Sequence, residues 1–129
     1  MRFDIVLPWV PSTNSIWRSV PVPGGRSRTI KSRAYRQWRD RAAEALSLAW
    51  RAEPYSGPVS VEIRLYGPSR RSYDIDNRVK GVLDVLQGHV LQDDSQVDRI
   101  VVRRGERVQT GAVWVTVEAM ETLPVEFPR

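Results

Sequence analysis

The chain has 129 residues, of which 41% are hydrophobic and 27% charged, and this composition indicates an ordinary globular protein of one domain. It contains no cysteine and a single histidine, His89, which excludes disulfide frameworks, thiolate nucleophiles and multi-histidine zinc sites. The net charge of +5 suits a polyanionic partner, and the absence of a membrane-spanning apolar run or a signal-peptide pattern predicts a cytoplasmic protein without membrane association.

The first half of the chain predicts a strand, a polar segment and a helix. Phe3, Ile5 and Leu7 alternate with other residues, and the following proline ends this strand. Residues 8–31 are rich in Pro, Gly, Ser and Arg and predict a long surface loop or a loose hairpin. Ser32 is a suitable cap for a helix that runs to about residue 51. The apolar face of this helix comprises Ala34, Tyr35, Trp38, Ala42, Ala45, Leu46 and Ala49.

The second half predicts three strands and a second helix. Residues 59–66 alternate strictly between apolar and polar side chains, which is typical of a strand with one buried face. A basic loop then leads to a helix over residues 75–87, which Gly88 ends. Two valine-rich strands, near residues 100–102 and 113–117, are expected to pair with each other. The expected buried residues of the second helix are Ile75, Val79, Val82, Leu83 and Leu86.

The order of these elements is β-α-β-α-β-β. It predicts an α+β fold, with a small mixed sheet of about four strands and two helices, in a single domain over residues 1–129.

Aspartates are concentrated in one part of this basic chain. Six of the eight lie from Asp74 to Asp98, a stretch without glutamate that contains only two basic residues, so its net charge is −4. Crowded carboxylates repel one another, and a divalent cation relieves that repulsion. Without cysteine or further histidines the ligands would be oxygen atoms, which favours Mg²⁺ or Mn²⁺. An acidic centre in a basic surround is the charge distribution of a metal-dependent nuclease.

The spacing of these aspartates is informative as a set. Asp76, Lys80 and Asp84 fall at i, i+4 and i+8 on the predicted helix and form one polar line beside its buried side. The loop that contains Asp93 and Asp94 can fold back toward the helix start. Each aspartate alone is better explained as a cap, a turn residue or half of an exposed ion pair. An EF-hand is excluded, because residues 79 and 85 would have to be glycine and glutamate.

Three segments together resemble a known family. Residues 7–14 read Leu-Pro-Trp-Val-Pro-Ser-Thr-Asn, residues 74–84 match D-x-D-N-x-x-K-x-x-x-D, and residues 91–97 contain D-D-x-Q-V. With these motifs the chain resembles the RusA-type Holliday-junction resolvases, which are small dimeric Mg²⁺-dependent endonucleases. Val10 departs from the pattern, where the family frequently has proline.

The resemblance implies a set of site residues. Asp74, Asp76 and Asp94 are implied as metal-binding catalytic carboxylates, and Lys80 as the catalytic lysine. The supporting candidates are Asn14, Asn77, Asp84 and Asp93. The resemblance also implies Mg²⁺ as cofactor with Mn²⁺ as a substitute, four-way branched DNA as substrate, a homodimer that nicks two strands symmetrically, and a bacterial or phage-encoded protein.

Arginine supplies 18 of the 20 basic residues, and its planar guanidinium suits phosphate binding. Three alternatives remain open: a non-catalytic protein that binds branched DNA, a metal nuclease with another nucleic-acid substrate, and an interaction protein with a solvated acidic patch. The arginines predicted to hold the DNA backbone are Arg26, Arg28, Arg33, Arg36, Arg70 and Arg71, with Arg103, Arg104 and Arg107 as further candidates.

Overall fold

A computed structural model describes residues 1–129 as two helices, a four-stranded mixed sheet and a separate two-stranded hairpin. The predicted α+β fold is confirmed. The strands and helices in chain order are β1 (Arg2–Leu7), β2 (Trp17–Val22), β3 (Arg26–Lys31), α1 (Arg33–Ala49), β4 (Val59–Tyr66), α2 (Val79–Leu86), β5 (Val97–Arg104) and β6 (Ala112–Ala119). No helix of the chain combines the length and apolar character needed to cross a membrane.

The four-stranded sheet has the order β1-β6-β4-β5. β4 pairs antiparallel with β6 on one side and parallel with β5 on the other. The prediction that the last two strands pair with each other is therefore wrong. Every second residue of β4 is fully buried, and the backbone of such a central strand needs hydrogen-bonding neighbours on both edges. The loop between β5 and β6 consequently crosses from one side of β4 to the other.

The polar segment before the first helix forms a hairpin, which was one of its two predicted forms. β2 and β3 pair antiparallel, with Trp17 opposite Lys31 at the base. The connecting turn contains Gly24 and Gly25 with φ angles of 91° and 71°, which side chains with a Cβ rarely adopt. Most residues of both strands are exposed, so this hairpin extends from the core rather than contributing to it.

Helix α1 begins as predicted. The hydroxyl oxygen of Ser32 accepts a hydrogen bond from the backbone N–H of Tyr35 at 3.2 Å. The buried residues are spaced three to four apart and cover a narrower face than predicted, because Ala34 and Ala49 lie beside that face and are exposed. The four buried side chains, which belong to the hydrophobic core, are Tyr35, Trp38, Ala42 and Leu46.

The second helix is shorter than the predicted range of 75–87. A 3-10 turn over Asp76–Arg78 precedes α2, which begins at Val79 and ends at Leu86. A 3-10 turn advances three residues per turn instead of 3.6, so it changes which residues face the core. Ile75, Val79 and Leu83 are only half-buried and pack against the core. The buried residues of α2 are Gly81, Val82, Val85 and Leu86.

Candidate active site

The 3-10 turn that contains Asp76 is held by the segment after β1. The Thr13 hydroxyl donates a hydrogen bond to the Asn77 carbonyl oxygen at 2.8 Å, and Arg78 Nη1 donates to the Val10 carbonyl oxygen at 2.6 Å. The first and second sequence motifs therefore form one structural unit. Asp74 and Asp76 themselves are exposed at its surface.

Lys80 and Asp84 lie one turn apart on α2. Lys80 Nζ is 3.5 Å from Asp84 Oδ1, and the side chains are 57% and 31% exposed. Asp76 belongs to the preceding 3-10 turn, so the prediction that all three residues lie on one α-helix is wrong, and α2 contains only this pair. Asp84 also lies near the core: burial, followed by the charge of Asp84, raises the pKa of the Tyr35 hydroxyl.

A second 3-10 turn, Asp94–Gln96, follows α2 and presents the other aspartates. The Asp93 carboxylate accepts hydrogen bonds from the hydroxyl and the backbone N–H of Ser95, which hold the pKa of Asp93 below its usual range. Asp93 thus caps this turn, while Asp94 is exposed within it.

Gln96 fixes the same turn from its other end. Its Oε1 accepts a hydrogen bond from the Asp93 backbone N–H at 2.9 Å. Its Nε2 donates to the carbonyl oxygens of Tyr55 and Gly57 at 2.7 and 2.9 Å, which connects the turn to the segment before β4. Gln96 had no predicted role, although its place in the D-D-x-Q-V motif marked it.

The chemistry of the predicted metal ligands fits a hard divalent cation. Asp74, Asp76 and Asp94 offer only carboxylate oxygens, and none of them forms an ion pair with lysine or arginine. The structure does not bring three or more acidic or histidine side chains together in a group that could hold a metal ion. The three carboxylates match Mg²⁺ in donor type, whereas their side chains are not assembled around one point.

The predicted DNA-binding arginines lie in three regions. Two are on β3, two are in the first turn of α1, and two are in the loop after β4. All six are exposed, and none is ion-paired with a carboxylate. In the order of these regions they are Arg26 and Arg28, Arg33 and Arg36, and Arg70 and Arg71.

Arg78 is a structural residue that no sequence pattern had singled out. Its guanidinium carbon lies 5.0 Å from the Trp9 ring centre and 5.6 Å from that of Tyr73. Burial lowers the pKa of Arg78, and its Nε has no hydrogen-bond partner. Arg78 thereby connects Tyr73, which directly precedes Asp74, to Trp9 in the segment after β1.

Comparisons with known proteins agree with the motifs. The model of the family described as Endodeoxyribonuclease RusA matches residues 7–118. The crossover junction endodeoxyribonuclease RusA of Escherichia coli (strain K12) is 34% identical over 103 residues, which are 78% of this chain and 82% of the relative. Proteins of the same name from Shigella sonnei (strain Ss046) and Enterobacteria phage 82 are 33% identical over the same length and the same shares of both chains.

The fold and these matches define the class of protein: the chain is an endodeoxyribonuclease. It belongs to the RusA family.

Proposed function

We propose that this chain is a Mg²⁺-dependent endonuclease that resolves four-way DNA junctions by symmetric paired nicks, with Mn²⁺ as a substitute for Mg²⁺. The observation that carries the proposal is the position of the two aspartate turns. One directly precedes α2 in the chain and the other follows it, and hydrogen bonds from other parts of the chain hold both of them. The names of the relatives support a junction as substrate.

Four side chains have direct roles in this proposal. Asp74, Asp76 and Asp94 would hold the metal, which when bound supplies polarisation of the scissile phosphate and a lower pKa of a bound water. Lys80 would place its ammonium against phosphate oxygens on which negative charge develops. Asp84 would orient Lys80 through their contact on α2. Asp93 and Asn77 lie in the turns that present these groups, and Asn14 lies in the 3-10 turn Thr13–Ser15.

The remaining surface would bind DNA through its backbone. Unpaired arginines on β3, on α1 and in the loop after β4 provide positive charge without base-specific geometry. Symmetric cleavage of two strands calls for two active sites, and we therefore propose a two-fold homodimer. We propose residues 1–129 as one functional domain and the cytoplasm of a bacterium or of a phage-infected bacterium as its location.

Cleavage of an end-labelled four-way junction tests the proposal. A linear duplex of the same sequence is the control. Both DNA substrates are incubated with Mg²⁺ or with EDTA, and the wild type is compared with Asp76→Asn. Paired nicks at symmetric positions are expected only in the junction, with Mg²⁺ and the wild-type protein. Tight junction binding without nicks under any metal would instead support the non-catalytic branched-DNA-binding protein.

A further inference from the structure

A basic cavity lies beside the candidate active site. Its volume is about 450 Å³, and Arg70, Arg71, Arg104 and Arg107 line it together with Tyr73. β4 and β5 run parallel, with Leu65 opposite Arg104 in the last pair of the register. Both strands consequently end at the same edge of the sheet, which brings the loop after β4 beside the loop after β5.

The charges of this cavity are not balanced within the chain. None of its four arginines forms an ion pair with a carboxylate, and no acidic residue contributes to its lining. Like charges held close together repel, and an anion placed among them removes that repulsion. Guanidinium groups offer several N–H donors in a planar fork that matches phosphate oxygens. The cavity is therefore suited to a phosphate group.

Arg104 is fixed in position before any ligand binds. Its Nη2 donates a hydrogen bond to the Tyr73 carbonyl oxygen at 2.6 Å, and its guanidinium carbon lies 4.8 Å from the Tyr73 ring centre. The Tyr73 ring in turn packs edge-on against Trp9 with a centroid distance of 5.1 Å. Because Tyr73 directly precedes Asp74, a phosphate bound by Arg104 has a set position relative to the proposed cleavage site.

We propose that this cavity binds one backbone phosphodiester of the DNA strand that is cut, and thereby selects which phosphate reaches Asp74 and Asp76. This inference rests on the proposed function, because only in a nuclease would the selected phosphate be the one that is cleaved. Arg104 acts as a positioning residue in this proposal. Arg70, Arg71 and Arg107 complete the phosphate site.

Single neutral methylphosphonates, placed one at a time around the branch point, test the cavity through binding in EDTA. The wild type is expected to lose about ten-fold in affinity at one position, the effect of a charge-assisted hydrogen bond. Arg104→Gln and Arg107→Gln should bind the unmodified junction more weakly than the wild type. A methylphosphonate at that position should not reduce their affinity further. Arg51→Gln changes an exposed arginine just after α1 and should keep the full wild-type loss.

Cleavage in Mg²⁺ gives a second readout. Arg104→Gln should spread the nicks over neighbouring phosphodiesters, whereas a general loss of positive charge, as in Arg51→Gln, should leave the position of the nicks unchanged. Equal methylphosphonate losses for Arg104→Gln, Arg107→Gln and the wild type at every position would overturn the inference.

The two proposals fail separately. If the wild type neither cleaves junctions nor prefers them to duplex, the proposed function fails. Melting in inorganic phosphate then still decides whether the cavity holds a phosphate, because a bound anion should stabilise the wild type and Arg51→Gln but not Arg104→Gln or Arg107→Gln. A thermal melt of each variant confirms that the protein measured is folded. Arg107→Gln, which changes an exposed side chain, keeps the test valid if Arg104→Gln is unstable.

Discussion

The ammonium nitrogen of Lys80 lies 3.5 Å from Asp84 Oδ1, and Lys80 is the more exposed partner. Exposed pairs of this kind contribute less than about 1 kcal/mol to stability, because water screens the charges and two long side chains lose freedom. The Lys80 charge therefore contributes little to the stability of the fold and is available to contact a bound ligand. The contact with Asp84 restricts the positions that the Lys80 ammonium group can occupy.

Replacement of Lys80 by alanine is expected to reduce junction cleavage by about 10²–10³-fold, the cost of losing one donor to a developing oxyanion. The melting temperature should change little, because the side chain is exposed. Junction affinity should also change little, because Lys80 is proposed to act on charge that develops only in the transition state. Single-turnover cleavage and binding in EDTA separate the two effects. Asp84→Asn is the companion variant and should lose less activity. A loss of binding equal to the loss of cleavage would make Lys80 a DNA-binding residue instead.

Asp76→Asn removes one proposed metal ligand while keeping nearly the same shape. Cleavage should be abolished, and junction binding should stay equal or become tighter, because one negative charge that repels phosphate is gone. Gel-shift titration in EDTA and cleavage in Mg²⁺ provide the two measurements. Asp40→Asn changes an exposed aspartate on α1 and should leave both unchanged. Wild-type cleavage by Asp76→Asn would contradict the metal assignment.

Gln96→Ala is expected to destabilise the protein by about 1–3 kcal/mol, since it leaves the carbonyls of Tyr55 and Gly57 without this donor. Cleavage measured well below the melting temperature should also fall, because Gln96 no longer holds the turn that contains Asp94. Urea unfolding and cleavage at low temperature measure the two effects. The control is Gln92→Ala, an exposed glutamine in the same loop, which should alter neither.

Asp4 links stability to pH. A hydrogen bond from the Thr116 hydroxyl, with others from Trp114 and Arg2, holds the pKa of Asp4 below its usual range. A carboxyl with a lowered pKa stabilises the fold above its unfolded pKa of about 3.9, and this stabilisation is lost as pH falls through its folded pKa. Asp4→Asn should therefore lower the melting temperature at neutral pH, with the difference from wild type shrinking in strong acid. A constant difference at all pH values would show that Asp4 acts through packing alone.

Replacing Arg33 and Arg36 together by glutamine should weaken junction binding and reduce its dependence on salt. The slope of log affinity against log salt should become shallower by about 0.9 for each phosphate that the protein no longer neutralises. Both arginines are exposed in the first turn of α1, so the fold should be unaffected. Titrations at several salt concentrations in EDTA give the slope, with Arg51→Gln as the control. An unchanged slope would place the DNA elsewhere on the surface.

Elements set by neighbouring residues were predictable from the sequence. The Ser32 cap of α1 depends on a hydrogen bond over three residues, and the alternation of β4 follows from one buried face. The candidate site residues were found through the spacing of three motifs, and the family match spans all three. Their roles in metal binding and catalysis remain predictions.

Interactions between segments that are distant in the sequence determined the features that the sequence did not predict. Asp76 lies in a 3-10 turn because Thr13 and Val10, more than sixty residues earlier, hold that turn by hydrogen bonds. The predicted pairing of the last two strands failed because β4 needs both edges covered. The cavity with Arg71 and Arg104 exists because two parallel strands end at the same sheet edge. Local patterns encode caps and alternation, whereas only the folded chain determines which segments meet.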